Sequence, residues 1–143
     1  MGYIIMACFS VYLLFASGVI QRDNAAAAIA AESSTQQQQA AETILYLNAI
    51  NDWLYGHPQS DGTVSNSVLD TQPPSGTANY LSQGRVYVYQ PEKKGLAAAL
   101  MDQSNQSALI GRVTNRRLTD MQGKGMQVTV PDVIPNGYLV YLN

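Results

Sequence analysis

The sequence predicts an α+β domain carried on an amino-terminal transmembrane helix. Three features predict it. Tyr3–Ile20, YIIMACFSVYLLFASGVI, is eighteen residues without a charge. Ala40–Tyr55 repeats apolar residues at helical spacing. From Arg85 onward, short runs alternate apolar and polar residues between turn signals, the period of half-buried strands. A helix, a strand, a short helix and then several strands is the order of an amphipathic helix packed on a small, mainly antiparallel sheet with one further short helix.

As a helix, Tyr3–Ile20 would span about 27 Å, close to the roughly 30 Å of a bilayer's hydrocarbon core. Its polar groups are hydroxyls of Ser10, Ser17, Tyr3 and Tyr12, and the change at Gln21-Arg22-Asp23-Asn24 marks a membrane–water boundary. We read residues 1–22 as the anchor. A secretory signal would need a basic region before the apolar run, and none is present, although Ala16 and Gly18 offer a weak cleavage site. A lipoprotein signal at Ala7-Cys8 has too few residues before the cysteine. A type IV prepilin would place Gly2-Tyr3 at its cut, but Ala7 stands where that motif carries glutamate and the leader lacks Lys and Arg. Arg22 beside Asp23 leaves the orientation rule without a bias to act on. Ala7, Ser10, Leu14 and Ser17 share one helix face, which reads as ordinary lipid-facing composition or as a close helix–helix contact.

Residues 23–39 read as a helical linker. Asn24–Ala31, NAAAAIAA, continues the helix by propensity. Ser33-Ser34-Thr35 weakens it, as a hinge or as a capping box with Gln37 or Gln38 that starts a second helix. Gln36–Gln39 fits a solvated helical turn.

Residues 40–143 read as one soluble α+β domain. Ala40, Ile44, Leu47, Ile50 and Leu54 make its core stripe, widened by Tyr46 and Trp53, with Thr43, Asn48, Asn51 and Asp52 on the wetter side. Gly56 and His57-Pro58 supply the stop. Gln59–Gly84 reads as a long connection pinned by Val64, Val68, Leu69, Tyr80 and Leu81, and as a candidate contact surface. Arg85–Gln90 is a strand, Pro91 suits the first turn of a helix, and Leu96–Ser104 is that helix, with Leu96 and Leu100 on one face. Strands follow over Ala108–Thr114, after the Asn115-Arg116 turn, over Met126–Val130 and over Tyr138–Leu142. About 110 residues beyond the hinge suffice for one core.

Eight Lys and Arg against ten Asp and Glu give a net charge of −2, which argues against a nucleic-acid partner. The only cysteine, Cys8, lies in the anchor, so the domain has no disulfide. His57 is the only histidine and has no cysteine beside it at ligand spacing, so no metal site is expected. Gly123-x-Gly125 lacks the further glycine and helix of a phosphate loop, the carboxylates are scattered singly, and the serines show no nucleophile elbow. Arg112, Arg116 and Arg117 gather at one hairpin, as a solvated face or as a seat for an acidic patch. No catalytic, cofactor-binding or metal-binding residue is assigned, and no enzymatic role is expected.

The apolar start, the segment ILYLNAINDWLYGHPQSDGTV, the strand GRVYVYQ and the run GLAAALMDQSNQSALIGRVTNRRL resemble the plasmid-type PilM proteins along the whole chain. That family is distinct from the actin-like proteins sharing its name. The resemblance implies a small inner-membrane protein encoded with conjugative thin pili of the type IVB class, without enzymatic activity, serving pilin transport or the pilus basal body. Its partners would be pilin or other pilus-assembly proteins, with homo-oligomers allowed, and its soluble domain would face the periplasm. It supplies no functional residues to carry over. The second reading is a minor pilin or pseudopilin within the fibre; a third is a secreted domain freed by cleavage near Val19.

Overall fold

The computed structural model describes residues 30–143. The apolar run Tyr3–Ile20, Cys8, the small-residue face and residues 23–29 of the linker lie outside them. No helix among the described residues is long and apolar enough to cross a membrane. The chain divides into two units, Met1–Thr35 and Gln36–Asn143. Within the first, residues 30–35 are helical and exposed. Thr35 Oγ1 donates to the Ala31 carbonyl at 3.0 Å, the in-helix bond of a threonine that caps nothing. The capping box considered for Ser34 and Thr35 is therefore not formed.

Helical residues 30–56 (α1) run up to Pro58. Gly56 is itself helical, so the stop comes from Pro58, whose ring disfavours helical backbone at His57. After a 3₁₀ turn at Asn66–Val68 come β1 (Ala78–Ser82), β2 (Arg85–Gln90), α2 (Leu96–Gln103), β3 (Ile110–Thr114), β4 (Arg117–Thr119), β5 (Gly125–Thr129) and β6 (Leu139–Leu142). They form one six-stranded sheet in the order β1-β2-β6-β3-β4-β5, with every neighbouring pair antiparallel. The α+β class with an antiparallel sheet is thus as the sequence predicts. Because β2 and β3 both oppose β6, they run parallel to each other, and α2 carries the crossover between them. The final strand inserts into the middle of a split βαβ unit.

One strand was hidden in the connection Gln59–Gly84. Ala78–Ser82 pairs with Arg85–Gln90 through a two-residue turn whose Gln83 and Gly84 have φ of 53° and 78°. Positive φ at both positions matches the twist of a hairpin. The strand's inward residues are Leu81 and Asn79, and the asparagine breaks the apolar alternation that identifies strands.

The sheet buries both faces. On one, Leu81, Val86, Val88, Ile110 and Leu139 meet Tyr46, Leu47 and Ile50 of α1 and Leu96, Ala99 and Leu100 of α2. On the other, Tyr87, Val140, Leu142, Val113 and Leu118 meet Val130 and Ile134 of the segment after β5. So Tyr87 in β2 is core, as are its neighbours Val86 and Val88. β4 and β5 fold closely over Gly111: a Cβ there would sit 2.8 Å from Leu118 Cγ, Met126 Sδ and the Thr119 carbonyl oxygen. Only glycine allows that approach.

The stripe of α1 is rotated from its sequence-predicted position. Ala40, Thr43, Tyr46, Leu47 and Ile50 are buried, while Ile44 and Leu54 are half-buried. Thr43, expected on the wetter side, is fully inside because β2 offers it a partner. Gln90 Oε1 accepts from Gln39 Nε2 at 2.9 Å and Thr77 Oγ1 at 3.0 Å, and Gln90 Nε2 donates to Thr43 Oγ1 at 3.2 Å. The glutamine run is likewise not a solvated turn throughout. Gln39 is buried, Gln37 accepts from Gln103 at 2.8 Å, and Gln38 donates to Glu42 at 2.9 Å. α2 begins at Leu96 after Gly95, which caps it at φ 83°; Pro91 ends β2 and lies outside the helix.

Candidate interaction surface

The segment Gln59–Thr77 is fastened residue by residue. Gly62 and Leu81 exchange backbone bonds of 3.0 and 2.6 Å. Asn79 uses its side-chain amide like a strand backbone, with Oδ1 accepting from Val64 N and Nδ2 donating to Val64 O, each at 2.9 Å. Asn79 Nδ2 also donates to Tyr46 Oη at 2.6 Å, and Tyr46 Oη donates to Asn66 Oδ1 at 2.7 Å. Burial raises the Tyr46 pKa, opposed by the bond from Asn79 and reinforced slightly by Tyr89. Tyr89 is raised too, by burial and then by Tyr138 and Tyr80. Both phenols stay protonated at neutral pH and serve here as hydrogen-bond donors or packing surface.

Of the residues expected to pin this segment, Val64, Leu69 and Leu81 are buried and Tyr80 is half-buried, but Val68 is 47% exposed. It looks across an open groove at α1. Leu45, 56% exposed, Ala49 and Trp53 follow one another at four-residue steps along the helix and form one wall; Val68 and Leu69 form the other. Asp52 and Asp70 stand on the rim, exposed and without an ion pair among the described residues. The His57 ring stacks on Trp53 with centroids 4.5 Å apart and planes 10° from parallel, and its Nδ1 lies 3.1 Å from the Trp53 carbonyl. The histidine, past the end of the helix, is exposed and also extends this aromatic surface.

One wall of this groove belongs to the Gln59–Gly84 connection that the sequence offers as a contact surface, but the helix wall is not legible because Leu45 sits next to the core stripe and out of phase with it. A lone out-of-phase leucine is ordinary on a surface. Val68 looked like a pin because its neighbour Leu69 is one. The signal was the pair of apolar residues on opposite walls of one groove, which only the fold brings together.

The three arginines do not make one patch. Arg112 forms a two-pronged pair with Glu92, its Nε donating at 2.6 Å, and Arg116 pairs with Asp132. The hydrogen bond to Glu92, more than its charge, raises the Arg112 pKa against the opposing effect of burial. Arg117 is exposed with no carboxylate partner among the described residues. A second groove lies between the start of β2, with Arg85 and Tyr87, and Gln127–Pro131 at the end of β5 and just past it, and a third borders Tyr55, Pro58 and Asn143. Among the described residues no group of three or more His, Cys, Asp or Glu is placed to hold a metal ion.

The family model described as PilM matches residues 11–142. A crystal structure described as PilM from Escherichia coli B7A is similar at 40% identity and a TM-score of 0.66, over 78% of this chain and 94% of that one. Another, described as a pilM protein from Pseudomonas aeruginosa 2192, is 23% identical with a TM-score of 0.44, over 76% of this chain and 94% of that one. Among curated proteins none matches.

Proposed function

The chain belongs to the PilM family, and from that premise we propose that it is a non-enzymatic, membrane-anchored component of pilus biogenesis. It acts in pilin transport or the basal body of a type IVB thin pilus through protein–protein contacts. The observation that carries this reading is the family match across residues 11–142. The uncharged run Tyr3–Ile20 supports a single inner-membrane span, and the open groove on α1 suits a protein that works by binding. A tether of this kind confines the domain near its partners and raises its effective concentration there. The domain faces the periplasm, where pilins are handled, and uses no cofactor, metal or nucleic acid.

Deleting the gene from pilus-producing cells should abolish thin pili, and the full chain supplied in trans should restore them. A reporter active only in the periplasm, fused after Asn143, should be active. Normal pili in the deletion strain would contradict the role. A silent fusion beside an active cytoplasmic one would contradict the topology alone.

One observation keeps a minor pilin or pseudopilin as the second reading. An apolar run followed in sequence by helical residues 30–56 is the order of a pilin stem. Ala7 in place of a glutamate weighs against it.

A further inference from the structure

We propose that the groove between α1 and the Val68–Thr71 segment receives an amphipathic helix of another protein, with apolar residues on one face and Lys or Arg flanking them. This deepens the pilus-assembly reading and rests on it. Leu45, Ala49 and Trp53 make a continuous apolar wall, and the eight helical steps from first to last span about 12 Å, room for roughly two turns of a partner helix. Trp53 offers the large, half-buried ring that commonly anchors such contacts, and His57 stacked on it holds that ring in place.

The rim decides the partner's charge. Asp52 and Asp70 are exposed, and neither has a cation among the described residues. A second copy docked face to face would oppose four carboxylates across a twofold axis, so self-pairing through this groove is disfavoured. An anionic lipid surface would be repelled in the same way. A basic, helical protein segment satisfies both the apolar wall and the acidic rim.

A photo-crosslinking amino acid at Leu45 or Val68 of the full chain, in pilus-producing cells, tests this. Both positions should attach to one helical segment whose apolar residues recur at three- and four-residue steps beside Lys or Arg. Asp52→Lys with Asp70→Lys should lower the yield about tenfold without changing thermal unfolding, since both side chains are exposed. Exchanging the captured basic residues for Glu should restore it. Adducts to a second copy, to lipid, or to a neutral or acidic segment would overturn the proposal, as would no adduct at either position or a yield indifferent to the reversed charges. The two readings separate cleanly: pili that persist without the gene refute the pilus role, whereas pili that need the gene but assemble normally with reversed rim charges refute this groove alone.

Discussion

Leu47→Asp should leave the full chain present but its domain unfolded, with no pili, while Asn48→Asp should leave stability unchanged. Leu47 is 4% exposed and packs in the cluster with Tyr46, Ile50, Val86 and Val88. Removing it forfeits about 1.5–3 kcal/mol of apolar burial. The new carboxylate would have no partner there, which adds a desolvation penalty or forces it to stay protonated. The sum should exceed about 4 kcal/mol, a large part of the roughly 5–15 kcal/mol that holds a small domain together. Asn48 is exposed, and a charge there should change stability by no more than about 0.5 kcal/mol. Thermal unfolding in detergent reads both. A Leu47→Asp protein that melts like the wild type would mean that α1 is not part of the core.

Gln90→Leu should be the next most damaging change, although leucine is apolar and of similar size. It would strip the partner from Gln39 Nε2 and Thr77 Oγ1, and one bond from Thr43 Oγ1, which keeps its bond to the Gln39 carbonyl at 2.8 Å. Each buried donor left unpaired costs about 1–3 kcal/mol. A combined loss of about 2–5 kcal/mol follows, because leucine recovers only part of it by packing. Gln38→Leu, on the exposed side of the same turn, should be nearly neutral. The melting temperatures of the two variants should differ by well over about 4–8 °C, the shift that each kcal/mol brings in a domain of this size. Equal melting would show that the seam between α1 and β2 is not held by its polar bonds.

Gln90 also explains what could be read in advance. Elements built from strong local signals were legible: Arg85–Gln90 from alternating Val and Tyr, Leu96–Gln103 from its leucines and alanines, and the Asn115-Arg116 turn from its asparagine. Their character is fixed by neighbours in sequence. Thr43, Asn79 and Gln90 were not legible as core, because a polar side chain is buried only when a partner from elsewhere satisfies it. Those partners lie from 13 to 51 residues away in the chain. Once Asn79 is inward, β1 loses its alternation and hides within a loop. The helix wall of the groove was illegible for the same reason. Leu45 and Val68 are unremarkable apart and face one groove only because Asn79 and Tyr46 fasten the intervening segment.

The proposed place of this PilM-family chain is the assembly machinery, outside the fibre. The most direct measurement is its amount in sheared, purified pili against the inner-membrane fraction of the same cells, with the amino-terminal peptide sequenced from each. The chain should stay in the inner membrane with Tyr3–Ile20 uncut and be absent from the pili. Recovery in purified pili, with the mature chain starting at Tyr3, would contradict it and make the protein a minor pilin.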